Sequence, residues 1–294
     1  MTPPPREVWQ APAKINLRLA ITGRRSDGYH TVDTVYQAID LCDTVVLESS
    51  DEPGVRCVVD GAFAAGVPEG DANLAARAAR VLGERTGHDP RVTIRITKRI
   101  PSGAGLGGGS SDAAAVLLAL GRRFAVPDPE HNLRGLAAEL GADVPFFLLG
   151  GTQRGRGIGD ELEPAEPPAE PWGILVWPGV PVSSAWAYAA YDAAKSGGTA
   201  RREDGAGGEV AGNAFEPIVY AAHPSIREAA EVLRVSGGAV PRLAGSGGAL
   251  FSLYSGAPAR DLDLKRVLAS PVALTGYHVW PFHCVGAGVS RMVQ

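Results

Sequence analysis

Over the first hundred residues, hydrophobic positions fall in short β-branched runs separated by turn residues. Residues 15–22, 34–41, 43–48 and 55–59 read this way and predict a strand-rich start. From residue 71 the spacing changes: DANLAARAARVLGERT (71–86) carries alanine and leucine at helical intervals, with Asp71 as the expected N-cap. RVTIRIT (91–97) alternates as a strand with one wet face. A glycine-rich run follows it directly, then a helix from about 110 to 123 and another over about 130–140, closed by Gly141 at a position suited to C′.

DELEPAEPPAEP (160–171) is acidic and proline-rich and is expected to link two halves, 1–160 and 161–294. Beyond it the pattern predicts strands over 172–177, 249–254 and 272–280, and helices over about 224–234 and 262–268. Residues 195–212, glycine-rich and charged, are expected to form a mobile surface loop. No repeat occurs. The pattern gives an α+β protein of two domains, with the cleft between them as the default ligand site.

Composition narrows the function classes. Glycine supplies 38 of 294 residues, about twice the usual share, which favours sites built from backbone. The formal net charge of −4 argues against broad nucleic-acid binding, which needs a basic face. The first ten residues, MTPPPREVWQ, lack an apolar signal core, and no apolar run approaches bilayer length, so a cytoplasmic protein without membrane association is expected. Cys42, Cys57 and Cys284 lie far apart, with no metal or redox spacing, and are expected to be buried small side chains.

The chemistry is most concentrated in PSGAGLGGGSSDAAAVLLAL (101–120). Gly103, Gly105, Gly107, Gly108 and Gly109 lie directly ahead of a helix start, where free N–H groups and the positive end of the dipole receive anions. A tight turn needs one or two glycines; five within seven residues point to a phosphate site. The P-loop pattern fails because Gly108 is followed by Gly109, with no lysine. The dinucleotide pattern is formally met by Gly103, Gly105 and Gly108, but AVPDPEHN (125–132) offers no second strand with an acidic end. Neither HRD nor DFG occurs, which removes the protein-kinase reading.

Pro101, Gly105-Leu106-Gly107 and Ser110-Ser111 followed by alanines resemble the central motif of the GHMP kinases. PAKINL (12–17) and LAGSGGALF (243–251) resemble that family's first and third motifs, in the same order. GRRSDGYHT (23–31) and GADVPFFLLGG (141–151) narrow the resemblance to the branch acting on CDP-methylerythritol, in the non-mevalonate isoprenoid route. The resemblance implies a ribosomal-protein-S5-like N-terminal domain beside a ferredoxin-like C-terminal domain. It also implies transfer of the γ-phosphate of ATP to the tertiary 2-hydroxyl of that substrate, with Mg²⁺ accompanying ATP and no tightly bound cofactor. Oligomeric state is left open. A GHMP kinase for another alcohol, such as mevalonate or homoserine, and a nucleotide-binding protein without catalysis are the alternatives; DGYH and an aromatic at 188 speak against the first, Lys14 with Asp143 against the second.

By the same resemblance Asp143 is the catalytic base and Lys14 its partner. From sequence alone, Gly-Ala-Asp-Val (141–144) would read as a helix stop with a capping aspartate, and Lys14 as a solvated strand charge. Pro101, Ser102, Gly103, Ala104, Gly105, Leu106, Gly107, Gly108, Gly109, Ser110 and Ser111 would hold the triphosphate, Ser111 reaching toward Mg²⁺. Asn16, Tyr29, His30, Ser184 and Tyr188 would hold the acceptor, with His30 on the cytosine edge and Trp186 competing with Tyr188 as the stacking ring. Lys98 and Asn73 are candidate neighbours of the adenosine, and Ser246 and Gly247 are expected to close the site. Asn213-Ala214-Phe215-Glu216 stands where the branch often has Asn-Asp-Leu-Glu, which leaves that segment without an expected role.

Overall fold

The computed structural model describes residues 6–196, 212–237, 240–270 and 276–292. Two long antiparallel strands open it, β1 (Arg6–Arg24) and β2 (His30–Ser49), where the alternation had suggested three shorter ones. Register shifts at Pro12/Ala13, Asn16/Arg18 and Ile21/Gly23 bend the pair, and these bulges are what broke the sequence pattern. β3 (Val55–Asp60), α1 (Leu74–Thr86) and β4 (Val92–Thr97) form a parallel crossover unit on the far side of β2. Helix α1 is capped by Asn73, whose Oδ1 accepts from Ala75 N–H at 2.9 Å. Asp71 sits two residues earlier, in a 3₁₀ segment, and pairs with Arg80 instead.

The glycine run leads into α2 (Gly108–Arg123), two residues earlier than expected. It is apolar on nearly every side and correspondingly buried, between α1, β1 and α5. The expected helix over 130–140 is broken at Leu133 into α3 (Pro129–Asn132) and α4 (Arg134–Leu140). Then come α5 (Val144–Leu149), β5 (Thr152–Arg156) and β6 (Glu161–Pro164). β5 pairs with β2 over 34–37, whereas β4 pairs with β2 over 44–49. The β5–β6 hairpin belongs to the first sheet, so the passage to the second falls over 165–171.

The second layer holds β7 (Trp172–Trp177), α6 (Ser184–Ser196), α7 (Glu216–Ala222), α8 (Pro224–Gly237), β8 (Arg242–Leu243), β9 (Leu250–Tyr254), α9 (Ala257–Ala269) and β10 (His278–His283). Its strands run β10-β7-β9-β8, all antiparallel. Of the surface loop expected over 195–212, residues 197–211 lie outside the described ones, while Lys195 and Ser196 end α6. The strand expected over 272–280 falls partly outside them too. The last short strand, β11 (Ser290–Arg291), returns to the first sheet beside β1. The result is α+β, as the periodicity indicated, with one core in each layer and a third between the sheets. That third core joins Ile15, Ile100 and Leu106 to Leu175, Phe251 and Phe282.

The outer edge of β1 positions everything that follows. Besides β11 at Trp9 and Gln10, it receives Leu106 O on Lys14 N–H at 3.0 Å, Ala244 O on Asn16 N–H at 2.9 Å, and Gly212 O on Leu19 N–H at 3.1 Å. Segments from four distant parts of the chain are thus hydrogen-bonded to one strand edge.

Candidate active site

Lys14 and Asn16 project from one face of β1, two residues apart, with Tyr36 beside them on β2. Lys14 Nζ donates to Asn16 Oδ1 at 2.7 Å and lies 3.7 Å from Asp143 Oδ2. Asn16 Nδ2 donates to Thr34 Oγ1 at 2.6 Å, and Tyr36 OH to Asp143 Oδ1 at 3.3 Å. Asp143 does occupy the N-cap position of α5, but its side chain makes no cap bond. Its two oxygens face Tyr36 and Lys14 instead, with about a third of the side chain exposed to a cavity. Burial pulls the Lys14 ammonium below its ordinary value, and Asp143 draws it partly back. Burial and the same carboxylate push the Tyr36 phenol well up.

The glycine loop turns on left-handed residues: Gly103, Gly105 and Gly107 have φ of +72°, +83° and +73°. Its glycines also meet protein. A Cβ on Gly247 would lie 2.0 Å from Gly105 N, and one on Gly107 would lie 2.7 Å from the Phe147 ring. The loop therefore interlocks with the third motif backbone to backbone, sealed by Ala249 N–H to Ala104 O at 3.0 Å and Gly248 N–H to Gly103 O at 3.1 Å. Gly109 is different: nothing lies within 4 Å of its Cβ position.

A cavity of about 470 Å³ opens over this loop. Nine of the eleven expected loop residues line it, from Pro101 to Ser110; Ala104 and Ser111 are fully buried behind. Ser111 Oγ is buried without a hydrogen-bond partner. Beneath α2, Lys98 is committed to an ion cluster with Asp43 and Asp112, the latter at 2.7 Å, with all three side chains almost wholly buried. Asp43 Oδ1 also accepts from Ile100 N–H at 2.8 Å, which ties the loop's entry to β2. Burial would lower Lys98, but the two carboxylates outweigh it and hold it up. Burial pushes Asp112 up to about 7 despite Lys98. Asn73 is likewise occupied, as the α1 cap and as donor to Pro68 O at 2.7 Å.

A second cavity, about 590 Å³, lies on the other side of Lys14 and Asp143. Asn16, Tyr29, His30, Ser184 and Tyr188 all line it, and Trp186 does not; that ring packs edge-on against His223. Tyr188 stacks on His30 with centroids 4.8 Å apart and planes at 17°, while Tyr29 is 63% exposed at the rim. Burial, then Asp143, pushes the Tyr188 phenol to about 12. The two cavities share one wall, made by Lys14, Ser110, Asp143, Ser184 and Ser246, with Ser184 and Ser246 hydroxyls 2.7 Å apart.

Several of these residues carried no usable sequence signal. Tyr36 and Phe147 look like core aromatics. Asn213, in the segment without an expected role, anchors the third motif through Nδ2 to Leu243 O and Gly245 O at 3.0 and 2.7 Å. Phe215 meets Tyr188 edge-on at 4.9 Å, and Glu216 accepts from Leu243 N–H at 2.9 Å. Asp192 follows Tyr188 by one helical turn, a relation visible only once 184–196 is helical. Among the described residues no three His, Cys, Asp or Glu side chains gather as a metal site, and no helix is long and apolar enough to cross a membrane. The cysteines are free, Cys57 buried and the others half-buried.

Residues 73–151 match the family model of the GHMP kinases N terminal domain. The chain is 40% identical over 252 residues to a 4-diphosphocytidyl-2-C-methyl-D-erythritol kinase of Geobacter sulfurreducens, covering 83% of this chain and 88% of that one. It is 39% identical to the Xanthomonas axonopodis protein of the same name, covering 88% and 86%. A crystal structure of a 4-(cytidine 5'-diphospho)-2C-methyl-D-erythritol kinase superposes with TM-score 0.75 at 34% identity, over 95% of this chain and 100% of that one. A homoserine kinase from Cytophaga hutchinsonii shares the fold, with TM-score 0.72 at 21% identity over 98% and 97% of the chains.

Proposed function

The chain belongs to the 4-diphosphocytidyl-2-C-methyl-D-erythritol kinases of the GHMP family, and we propose that it transfers the γ-phosphoryl group of ATP to the 2-hydroxyl of 4-diphosphocytidyl-2-C-methyl-D-erythritol. The products are the 2-phosphate and ADP, a step of the non-mevalonate isoprenoid pathway. The observation that carries this reading is the pair of cavities meeting at Lys14 and Asp143, one over a glycine loop and one lined by aromatics and His30.

ATP occupies the loop cavity as its Mg²⁺ complex, with the triphosphate over the α2 N-terminus. Mg²⁺ bound with ATP would neutralise charge on the phosphates, and the Ser110 hydroxyl and the Asp143 carboxylate on the shared wall are among the oxygens that would hold it. The acceptor's cytidine lies against His30 and Tyr188, which directs its methylerythritol end toward the shared wall. Asp143 takes the proton of the 2-hydroxyl as the oxygen attacks the γ-phosphorus, and the bond to the β-phosphate oxygen breaks to release ADP. Lys14 holds the carboxylate in line, its cation favouring the developing alkoxide. Asn16 and Thr34 fix the Lys14 ammonium by the hydrogen bonds described above.

The test is ADP release with 4-diphosphocytidyl-2-C-methyl-D-erythritol, mevalonate, homoserine and galactose side by side. Turnover with the cytidine substrate alone is expected, and turnover only with mevalonate overturns the reading.

A further inference from the structure

The acceptor cavity is lined by two carboxylates, Asp143 and Asp192, and the transfer chemistry uses only the first. Asp192 stands one turn beyond Tyr188 on α6, so the two side chains share a helix face. Its Oδ1 accepts from His30 Nε2–H at 2.7 Å, and its Oδ2 lies 3.2 Å from Arg24 Nη1. Arg24 Nε donates in turn to Gly28 O at 3.1 Å, in the turn between β1 and β2. A helix of the second layer is thereby strapped to the hairpin that carries His30. The Tyr188 ring fixes the plane of the imidazole by stacking, and Tyr191 meets it edge-on at 6.4 Å.

This strap decides the chemistry the imidazole presents. An ionised carboxylate only accepts hydrogen bonds, so the hydrogen of the neutral ring belongs on Nε2 and Nδ1 keeps its lone pair. Arg24 supplies the counter-charge of Asp192. A lone pair at Nδ1 suits the exocyclic amino group of cytosine and opposes the carbonyl that uracil carries at the same place. We propose that Asp192 is a positioning residue that fixes the tautomer of His30, and so makes the site select a cytosine over a uracil ring. This rests on the acceptor reading given above. A base lacking the amino donor leaves a lone pair facing a lone pair, a mismatch that costs more than the missing bond.

The test compares kcat/KM for the CDP- and UDP-linked forms of 2-C-methyl-D-erythritol in wild type, Asp192→Ala and Asp192→Asn at saturating ATP. The CDP-to-UDP ratio is expected to fall by about tenfold or more in Asp192→Ala, the equivalent of one lost hydrogen bond. The loss should lie in KM for the cytidine substrate, with KM for ATP within about twofold of wild type. A ratio unchanged in Asp192→Ala, where the wild type turns over the CDP form, overturns the role of Asp192 alone; a wild type inactive on the CDP form overturns the acceptor reading and the selectivity with it. ¹⁵N chemical shifts of the His30 ring in the wild-type protein serve where a variant does not fold. A proton on Nε2 supports the proposal, and a proton on Nδ1 of the neutral ring overturns it.

Discussion

Asp143 begins helix α5 without capping it: its Oδ2 faces Lys14 Nζ at 3.7 Å, and its Oδ1 accepts from Tyr36 at 3.3 Å. Aspartate at an N-cap ordinarily satisfies a free backbone N–H, so this side chain forgoes a local role. Asp143→Asn keeps shape and loses basicity. It is expected to lower kcat by ~10² to 10⁴, the usual contribution of a general base, with Tm within a degree or two of wild type by differential scanning calorimetry. Wild-type turnover in that variant would remove Asp143 from the mechanism.

Lys14 sets an alkaline limit. Burial holds its ammonium below the ordinary lysine value of 10.5, so the charge is lost at a lower pH than on the surface. In the proposed mechanism the cation is the working form, so kcat/KM, which reports free enzyme, should fall with rising pH through a pKa below 10.5. Initial rates from pH 7 to 10.5 check this. A flat profile across that range contradicts it.

Tyr188→Ala removes the ring that stacks on His30 and lines the acceptor cavity. One stacking partner is worth roughly 1 to 3 kcal/mol, so KM for the cytidine substrate is expected to rise about 5- to 150-fold. KM for ATP should stay near wild type. Steady-state kinetics with each substrate varied in turn separates the two, and equal effects on both would place the ring elsewhere.

Glycines of the loop divide by what their Cβ would meet. Gly247→Ala drives a methyl into the backbone at Gly105, and is expected to lower Tm and weaken ATP together. Gly109→Ala meets no protein atom and lies within α2, where alanine is favoured over glycine by up to ~1 kcal/mol. Its methyl instead enters the cavity over the loop, so Tm should hold or rise while KM for ATP increases. Thermal melts with and without ATP distinguish the two variants.

Asp112 supplies a pH dependence of stability. Burial raises its folded-state pKa from 3.8 to about 7, so its favourable contribution is present at low pH and lost as pH rises through about 7. Asp112→Asn cannot titrate. The Tm of the variant relative to wild type should therefore increase from pH 5 to pH 9, and a constant difference over that range would refute the assignment.

Local signals in the sequence reported the local parts of this architecture. The glycine loop, the helix behind it and the alternation in β4 follow from spacing alone. The three motifs are legible separately, but nothing in their spelling states that Gly105 and Gly247 lie in backbone contact. That follows from a pairing across some 140 residues, which propensity cannot encode. The β1 and β2 bulges interrupted a period of two and so split a strand on paper. Lys98 and Asn73, expected beside the adenosine, each hold a structural partner as well, and Lys98 still lines the cavity over the loop. Tyr36, Asn213 and Asp192 have hydrogen-bond partners far away in sequence, where one-dimensional patterns are silent.

The hydrogen bonds along the outer edge of β1 set the glycine loop and the third motif on one ruler. Leu106 is held at Lys14, Ala244 at Asn16 and Gly212 at Leu19, so the marks are spaced by the strand's rise of about 3.3 Å per residue. In-line phosphoryl transfer tolerates errors of well under this step. Sliding the strand by one residue would miss the alignment by a whole mark and turn Lys14 to the opposite face. In the proposed mechanism the spacing of the two substrates is thus set when the sheet forms, before either of them arrives.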